Sequence, residues 1–228
     1  MKNLIVYVHG KDGSAAEAEH YKEVFPDGEV IGFDYRSKTP WEARKEFPAF
    51  FAERRRSCDQ LILLANSIGA FFALSSLNET LADKAYFISP VVDMERLILD
   101  MLSWAKVTER ELAEKGEICT GFGETLSWRF LCYVREHRLS WRVPTWILYG
   151  EHDELTSAET MSAFAERIGA QLTVMPGGEH WFHTREQMRF LEEWIKEAGD
   201  RSSTPFSERG PGKSGCPLDF SEKQAIIN

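Results

Sequence analysis

Ser67 stands where an apolar run, Leu61-Ile62-Leu63-Leu64-Ala65, passes through Asn66 and, without a gap, into the helix-forming stretch Ile68-Gly69-Ala70-Phe71-Phe72-Ala73-Leu74. A hydroxyl on so sharp a strand-to-helix turn stands exposed with the helix N-terminus behind it, which suits a nucleophile. A serine hydroxyl is a poor nucleophile at neutral pH. It needs a base to take its proton, an acid to orient that base, and N–H donors for the oxyanion that forms on attack. Candidates for each role follow other apolar runs: His9-Gly10-Lys11-Asp12-Gly13-Ser14, then Gly150-Glu151-His152-Asp153, then Gly177-Gly178-Glu179-His180. On residue type alone His183 competes with His180, and Glu151, Glu154 and Asp93 compete with Asp153.

These residues converge only if the runs are strands of one sheet. Six runs have strand length: Leu4–Val8, Val30–Phe33, Leu61–Ala65, Ala85–Ile88, Thr145–Tyr149 and Leu172–Met175. Their near-continuous apolar character fits strands buried on both faces. Between them lie amphipathic stretches, including Phe47/Phe50/Phe51, Met161/Phe164/Ala165/Ile168 and Met188/Leu191/Ile195/Ala198. Alternation of strand and helix predicts a mainly parallel α/β sheet with helices on both faces. In such a sheet ligands bind outside the carboxyl ends of the strands, where the polar residues named above fall.

One connection is out of scale. More than fifty residues separate Ser89-Pro90 from Pro144, and none of them reads as a strand. Helices are expected over Asp93–Ala105, with Asp93 as the cap, and over Thr108–Lys115, which opens on the capping-box sequence Thr108-Glu109-Arg110-Glu111. Trp104, Phe122, Trp128, Phe130, Tyr133 and Trp141 also lie here, in what reads as a helical cap insertion over about 91–142. After Gly199 the periodicity stops, and 200–228 reads as an extended or disordered tail behind a single domain over 1–199. Gly212-Lys213-Ser214 fails as a P-loop because Ser207 stands where a glycine is required. Gly121-Phe122-Gly123 fails as a dinucleotide fingerprint because Leu126 replaces its third glycine.

With 27 Lys and Arg against 36 Asp and Glu, the net charge is −9. That acidity argues against nucleic acid or an anionic membrane surface as partner. No apolar run approaches a membrane span or a signal sequence. Cys58, Cys119, Cys132 and Cys216 lack metal-like or redox-like spacing and read as free thiols in a cytoplasmic protein. Arg54-Arg55-Arg56 reads as the solvated end of a helix. His180 and His183 could share a metal, but no third ligand is evident.

The run Ala65-Asn66-Ser67-Ile68-Gly69 resembles the nucleophile elbow Gly-x-Ser-x-Gly of the α/β-hydrolase family, with Ala65 in place of the first glycine. The chain order Ser67…Asp153…His180, the His9-Gly10 after the first strand, Gly150-x-x-Asp153 and the glycine loop ending in His180 extend the resemblance over most of 1–199. The resemblance implies a compact member lacking two leading strands, with spatial strand order 2-1-3-4-5-6. It also implies Ser67 as nucleophile, His180 rather than His183 as base, and Asp153 as orienting acid. The backbone N–H groups of Lys11 and Ile68 would be the oxyanion donors, with His9 bracing the loop. His183 would be a residue of the following helix. The implied activity is that of a carboxylesterase-like serine hydrolase acting on a small or medium ester or thioester, with no metal or organic cofactor. A peptidase or amidase with the same triad, carbon–carbon bond hydrolysis, or a non-catalytic ligand-binding protein on this fold are the alternatives.

Overall fold

The computed structural model describes residues 2–201. Tail features beyond that point, among them Gly212-Lys213-Ser214 and Cys216, lie outside the described residues. The chain opens on β1 (Asn3–Val8), a 3₁₀ segment over Ala15–Tyr21, and β2 (Gly28–Phe33). Next come α1 (Pro40–Arg55), β3 (Gln60–Asn66), α2 (Ser67–Ser76) and β4 (Lys84–Ile88). The long connection holds α3 (Met94–Ala105), α4 (Glu109–Lys115), β5 (Glu117–Cys119), β6 (Thr125–Ser127) and α5 (Trp128–Glu136). β7 (Thr145–Gly150), α6 (Ala158–Ile168), β8 (Gln171–Met175) and α7 (Arg185–Arg201) complete it. Among the described residues no helix is long and apolar enough to cross a membrane.

Six strands form one sheet in the order β2-β1-β3-β4-β7-β8, every neighbouring pair parallel. Alternate residues of each strand face opposite ways, so each apolar run feeds two cores. Leu4, Val6, Leu61, Leu63, Ala85, Phe87 and Ile147 pack on one side with Phe47, Phe51, Phe72, Met161 and Phe164 from α1, α2 and α6. Ile5, Tyr7, Ile62, Leu64, Tyr86, Trp146 and Leu148 pack on the other with Tyr21 from the 3₁₀ segment and Leu191, Trp194 and Ile195 from α7. β8 departs from the expectation of two buried faces. It is an edge strand, and its Val174 is 45% exposed.

Local chemistry sets the helix starts. Thr39 caps α1 in a capping box with Glu42, with Pro40 in the first turn, where its missing N–H costs nothing. Asp93 caps α3 by accepting from the Arg96 N–H, and Thr108 with Glu111 caps α4. Arg55 is not simply solvated at the end of α1. Its guanidinium donates to the carbonyls of Cys58 and Asp59 and to Asp83.

The connection between β4 and β7 differs from expectation in one respect: it does contain strands. β5 and β6 pair antiparallel as a short hairpin with Ile118 opposite Leu126. Three residues per strand are too few to show an alternating pattern, and Thr120-Gly121-Phe122-Gly123-Glu124 forms the tip between them. Gly123 sits at φ +89, and Gly123 N–H donates to the Thr120 carbonyl. The aromatics of this connection divide by burial. Trp141 is buried with its indole N–H on Thr145, and Phe130 and Tyr133 pack edge-on against Trp41 of α1. Trp104 and Phe122 are exposed and meet edge-to-face at 6.3 Å.

Candidate active site

β3 ends at Asn66 and α2 begins at Ser67 with no intervening residue. The chain can turn this sharply only by placing Ser67 at φ +49, in the left-handed region that costs a non-glycine residue of order 1 kcal/mol or more. Small neighbours make room. A Cβ on Gly69 would lie 2.2 Å from the His9 carbonyl oxygen, and one on Gly10 would lie 3.2 Å from the Ser67 Cβ. Ala65, at the position where a glycine was expected by resemblance, is fully buried and accommodated.

The candidate acid and base, Asp153 and His180, follow two further strand ends held together backbone to backbone. A Cβ on Gly150, the last residue of β7, would sit 2.4 Å from the Glu179 carbonyl oxygen. His152 N–H donates to the Gly178 carbonyl at 2.7 Å, and the Glu151 carboxylate accepts from Gly177 N–H at 2.8 Å. Glu151 is therefore a loop tie. Glu154 is exposed, and Asp93 is spent as a helix cap. Asp153 is buried. Its Oδ1 accepts the N–H groups of Leu155 and Thr156, and its Oδ2 lies 2.7 Å from His180 Nδ1. His180 Nε2 lies 2.8 Å from Ser67 Oγ. With the ring proton on Nδ1 held by Asp153, Nε2 is free to accept the serine proton. The Tyr149 hydroxyl, which donates to the Thr156 carbonyl, is pushed up to about 12 by burial and then by the Asp153 charge.

His183 is not a helix residue. α7 begins at Arg185, and His183 lies in the loop before it, stacked on Trp181 at 4.5 Å with Glu179 3.6 Å away. Gln187 reaches back from α7 to accept the N–H groups of His183 and Thr184, and this cap sets where the helix starts. Among the described residues no group of three His, Cys, Asp or Glu side chains gathers as a metal site requires. Cys58, Cys119 and Cys132 are free thiols.

The loop after β1 lies against the elbow. His9 is buried, its ring stacked on Tyr35 at 4.3 Å, while the Tyr35 hydroxyl donates to the His9 carbonyl. Lys11 is the second residue of a turn closed by Gly13 N–H on the Gly10 carbonyl, with Asp12 at φ +58. Ile68 lies in the first turn of α2, where N–H groups have no carbonyl of their own helix to bond. Sequence reading missed the support beneath. Tyr7 donates to Glu17 at 2.5 Å and hydrogen-bonds the Asn66 side chain, and Glu17 also accepts the Ser14 N–H. Burial, then the neighbouring Tyr21 and Glu17, push the Tyr7 hydroxyl far above its ordinary range, so it stays a donor. Ser14-x-x-Glu17 is a legible capping box, but nothing local points from Glu17 to Tyr7.

No family model matches the chain, and no curated protein does. Solved structures do match. Est1E from Butyrivibrio proteoclasticus superposes with a TM-score of 0.73 at 17% identity, over 89% of this chain and 88% of that one. Alpha/beta hydrolase domain-containing protein 10 from mouse gives 0.69 at 17% identity, over 87% and 90%. The chain has the α/β-hydrolase fold. A serine hydrolase without lid from Xanthomonas campestris, another α/β hydrolase, gives 0.60 at 15% identity over 89% and 84%. At such identities the likeness is one of fold. Within that α/β-hydrolase fold, Ser67, Asp153 and His180 follow β3, β7 and β8 in the chain order of an α/β-hydrolase triad.

Proposed function

We propose that the chain is a carboxylesterase-like serine hydrolase that cleaves a small or medium ester or thioester through an acyl-enzyme. The observation that carries this reading is the unbroken relay Ser67 Oγ–His180 Nε2 at 2.8 Å and His180 Nδ1–Asp153 Oδ2 at 2.7 Å. Ser67 Oγ attacks the acyl carbon while its proton passes to His180 Nε2. The carbonyl oxygen takes the electron pair and is received by the N–H groups of Lys11 and Ile68, each worth about 10²–10³ in rate. Collapse expels the leaving alkoxide or thiolate, which takes the proton from His180. A water then repeats the sequence on the acyl-enzyme and frees the acid. Asp153, fixed by two backbone N–H groups, holds the imidazole in place and stabilises the imidazolium.

Exposed Trp104 and Phe122 on the connection, together with Trp181 next to the base, favour an apolar or aryl group on the substrate. A second structure of Est1E holds ferulic acid, an aryl acid, which is compatible with that choice. Intact-mass analysis after treatment with a fluorophosphonate tests the reading. One adduct on the wild type and none on Ser67→Ala is expected. A folded wild type that takes no adduct would favour a ligand-binding protein on the same fold.

A further inference from the structure

The turn that carries Lys11 projects outward. Lys11 and Asp12 are both exposed, and Asp12 holds an unfavourable left-handed backbone. Its inner half is well fastened, through the His9–Tyr35 stack and the Ser14–Glu17 hydrogen bond. Its outer half meets a different element. The Lys11 ammonium pairs with the carboxylate of Glu124, at the tip of the β5–β6 hairpin.

The Glu124 backbone is pinned to Thr120. Its backbone N–H donates to Thr120 Oγ1 at 3.0 Å, and its carbonyl accepts both the Thr120 N–H, at 2.7 Å, and the Thr120 hydroxyl, at 2.9 Å. The hairpin is in turn tied to the body of the connection. Trp128 N–H donates to the Gly116 carbonyl, and Leu126 is buried in the core. An arm from residues far along the chain thus ends in a carboxylate on the side chain of Lys11, the residue next to Gly10, where a Cβ would lie 3.2 Å from the Ser67 Cβ.

We propose that Glu124 is a positioning residue: by gripping the Lys11 side chain it holds the 10–13 turn in the conformation that aims the Lys11 N–H at the oxyanion. This rests on the reading of Lys11 as an oxyanion donor. Glu124 touches no reacting atom. It acts on the population of turn conformations, so its removal lowers the rate of the chemical step and leaves ground-state binding alone. The pair is partly solvated, with the lysine side chain 54% and the glutamate side chain 33% exposed, so its grip is modest and screened by salt.

The test uses the full chain with p-nitrophenyl acetate. Glu124→Gln is expected to lower kcat about fivefold, with KM changed by less than about twofold. Lys11→Met, which keeps the backbone N–H, should fall by a similar factor. The double variant should fall no further than either single one, because both remove the same contact. The charge-swapped Lys11→Glu/Glu124→Lys pair should recover most of the loss. Salt at about 1 M should slow the wild type towards the Glu124→Gln rate and leave that variant unchanged. Amide hydrogen exchange over residues 9–14 should quicken in Glu124→Gln while the melting temperature holds, a readout that does not depend on turnover. An active wild type with an unchanged Glu124→Gln variant, or two single losses that multiply in the double variant, would overturn this inference alone. A wild type inert to the fluorophosphonate would overturn the hydrolase reading beneath it.

Discussion

Ser67, His180 and Asp153 differ in what each removal takes away. In the proposed mechanism Ser67→Ala removes the atom that would bond to substrate, and His180→Ala removes the imidazole 2.8 Å from it that would take its proton. Each should lower kcat on a p-nitrophenyl ester by about 10⁴–10⁶ with the fold intact. Asp153→Asn should cost less than either, since the imidazole remains and only its tautomer and orientation suffer. His183→Ala should stay within about threefold of wild type in the same assay, because its ring stacks on Trp181 and faces Glu179. A His183 loss as large as that of His180 would reverse the assignment of the base. The serine was legible because left-handed backbone between an apolar strand and helix leaves a local mark of small residues, Ala65 and Gly69. The Tyr7–Glu17 and Tyr35–His9 contacts were not, because they span 10 and 26 positions.

At the scale of elements, long apolar strands and capped helices were readable, and short paired strands were not. The six sheet strands and the caps Asp93 and Thr108 emerge from runs of seven or fewer residues with strong local bias, whereas the strand order was implied by the family resemblance. The β5–β6 hairpin is set by its turn and by packing of Leu126, so Gly121-Phe122-Gly123 could be read as a failed motif and not as a tip. His183 fell outside α7 because the cap Gln187 lies inside the helix and reaches backwards. The hairpin also carries the exposed Phe122 that meets Trp104. If these two rings rest against the apolar end of a substrate, Trp104→Ala/Phe122→Ala should lower kcat/KM for p-nitrophenyl hexanoate about tenfold and for the acetate by about twofold or less. Equal losses on both esters would assign the rings to packing alone.

The whole molecule divides into two cores on opposite faces of one sheet, and stability is unequal across it. Phe47 of α1 is fully buried against Phe33, Tyr35, Phe51 and Phe72. Phe47→Ala should therefore cost about 3–5 kcal/mol in urea unfolding, with the triad geometry untouched in the fraction that stays folded. The margin of the sheet is a different matter. β8 has one strand neighbour, β7, and its Val174 faces solvent. Local opening at such a margin costs less than unfolding the centre. In a urea titration, turnover should fade at a lower concentration than the far-ultraviolet circular dichroism signal. His180 hangs from the end of that strand, so its distance to Ser67 works as a strain gauge on the rim. On the proposed reading, fraying at that one hem should disarm the molecule before the cloth comes apart.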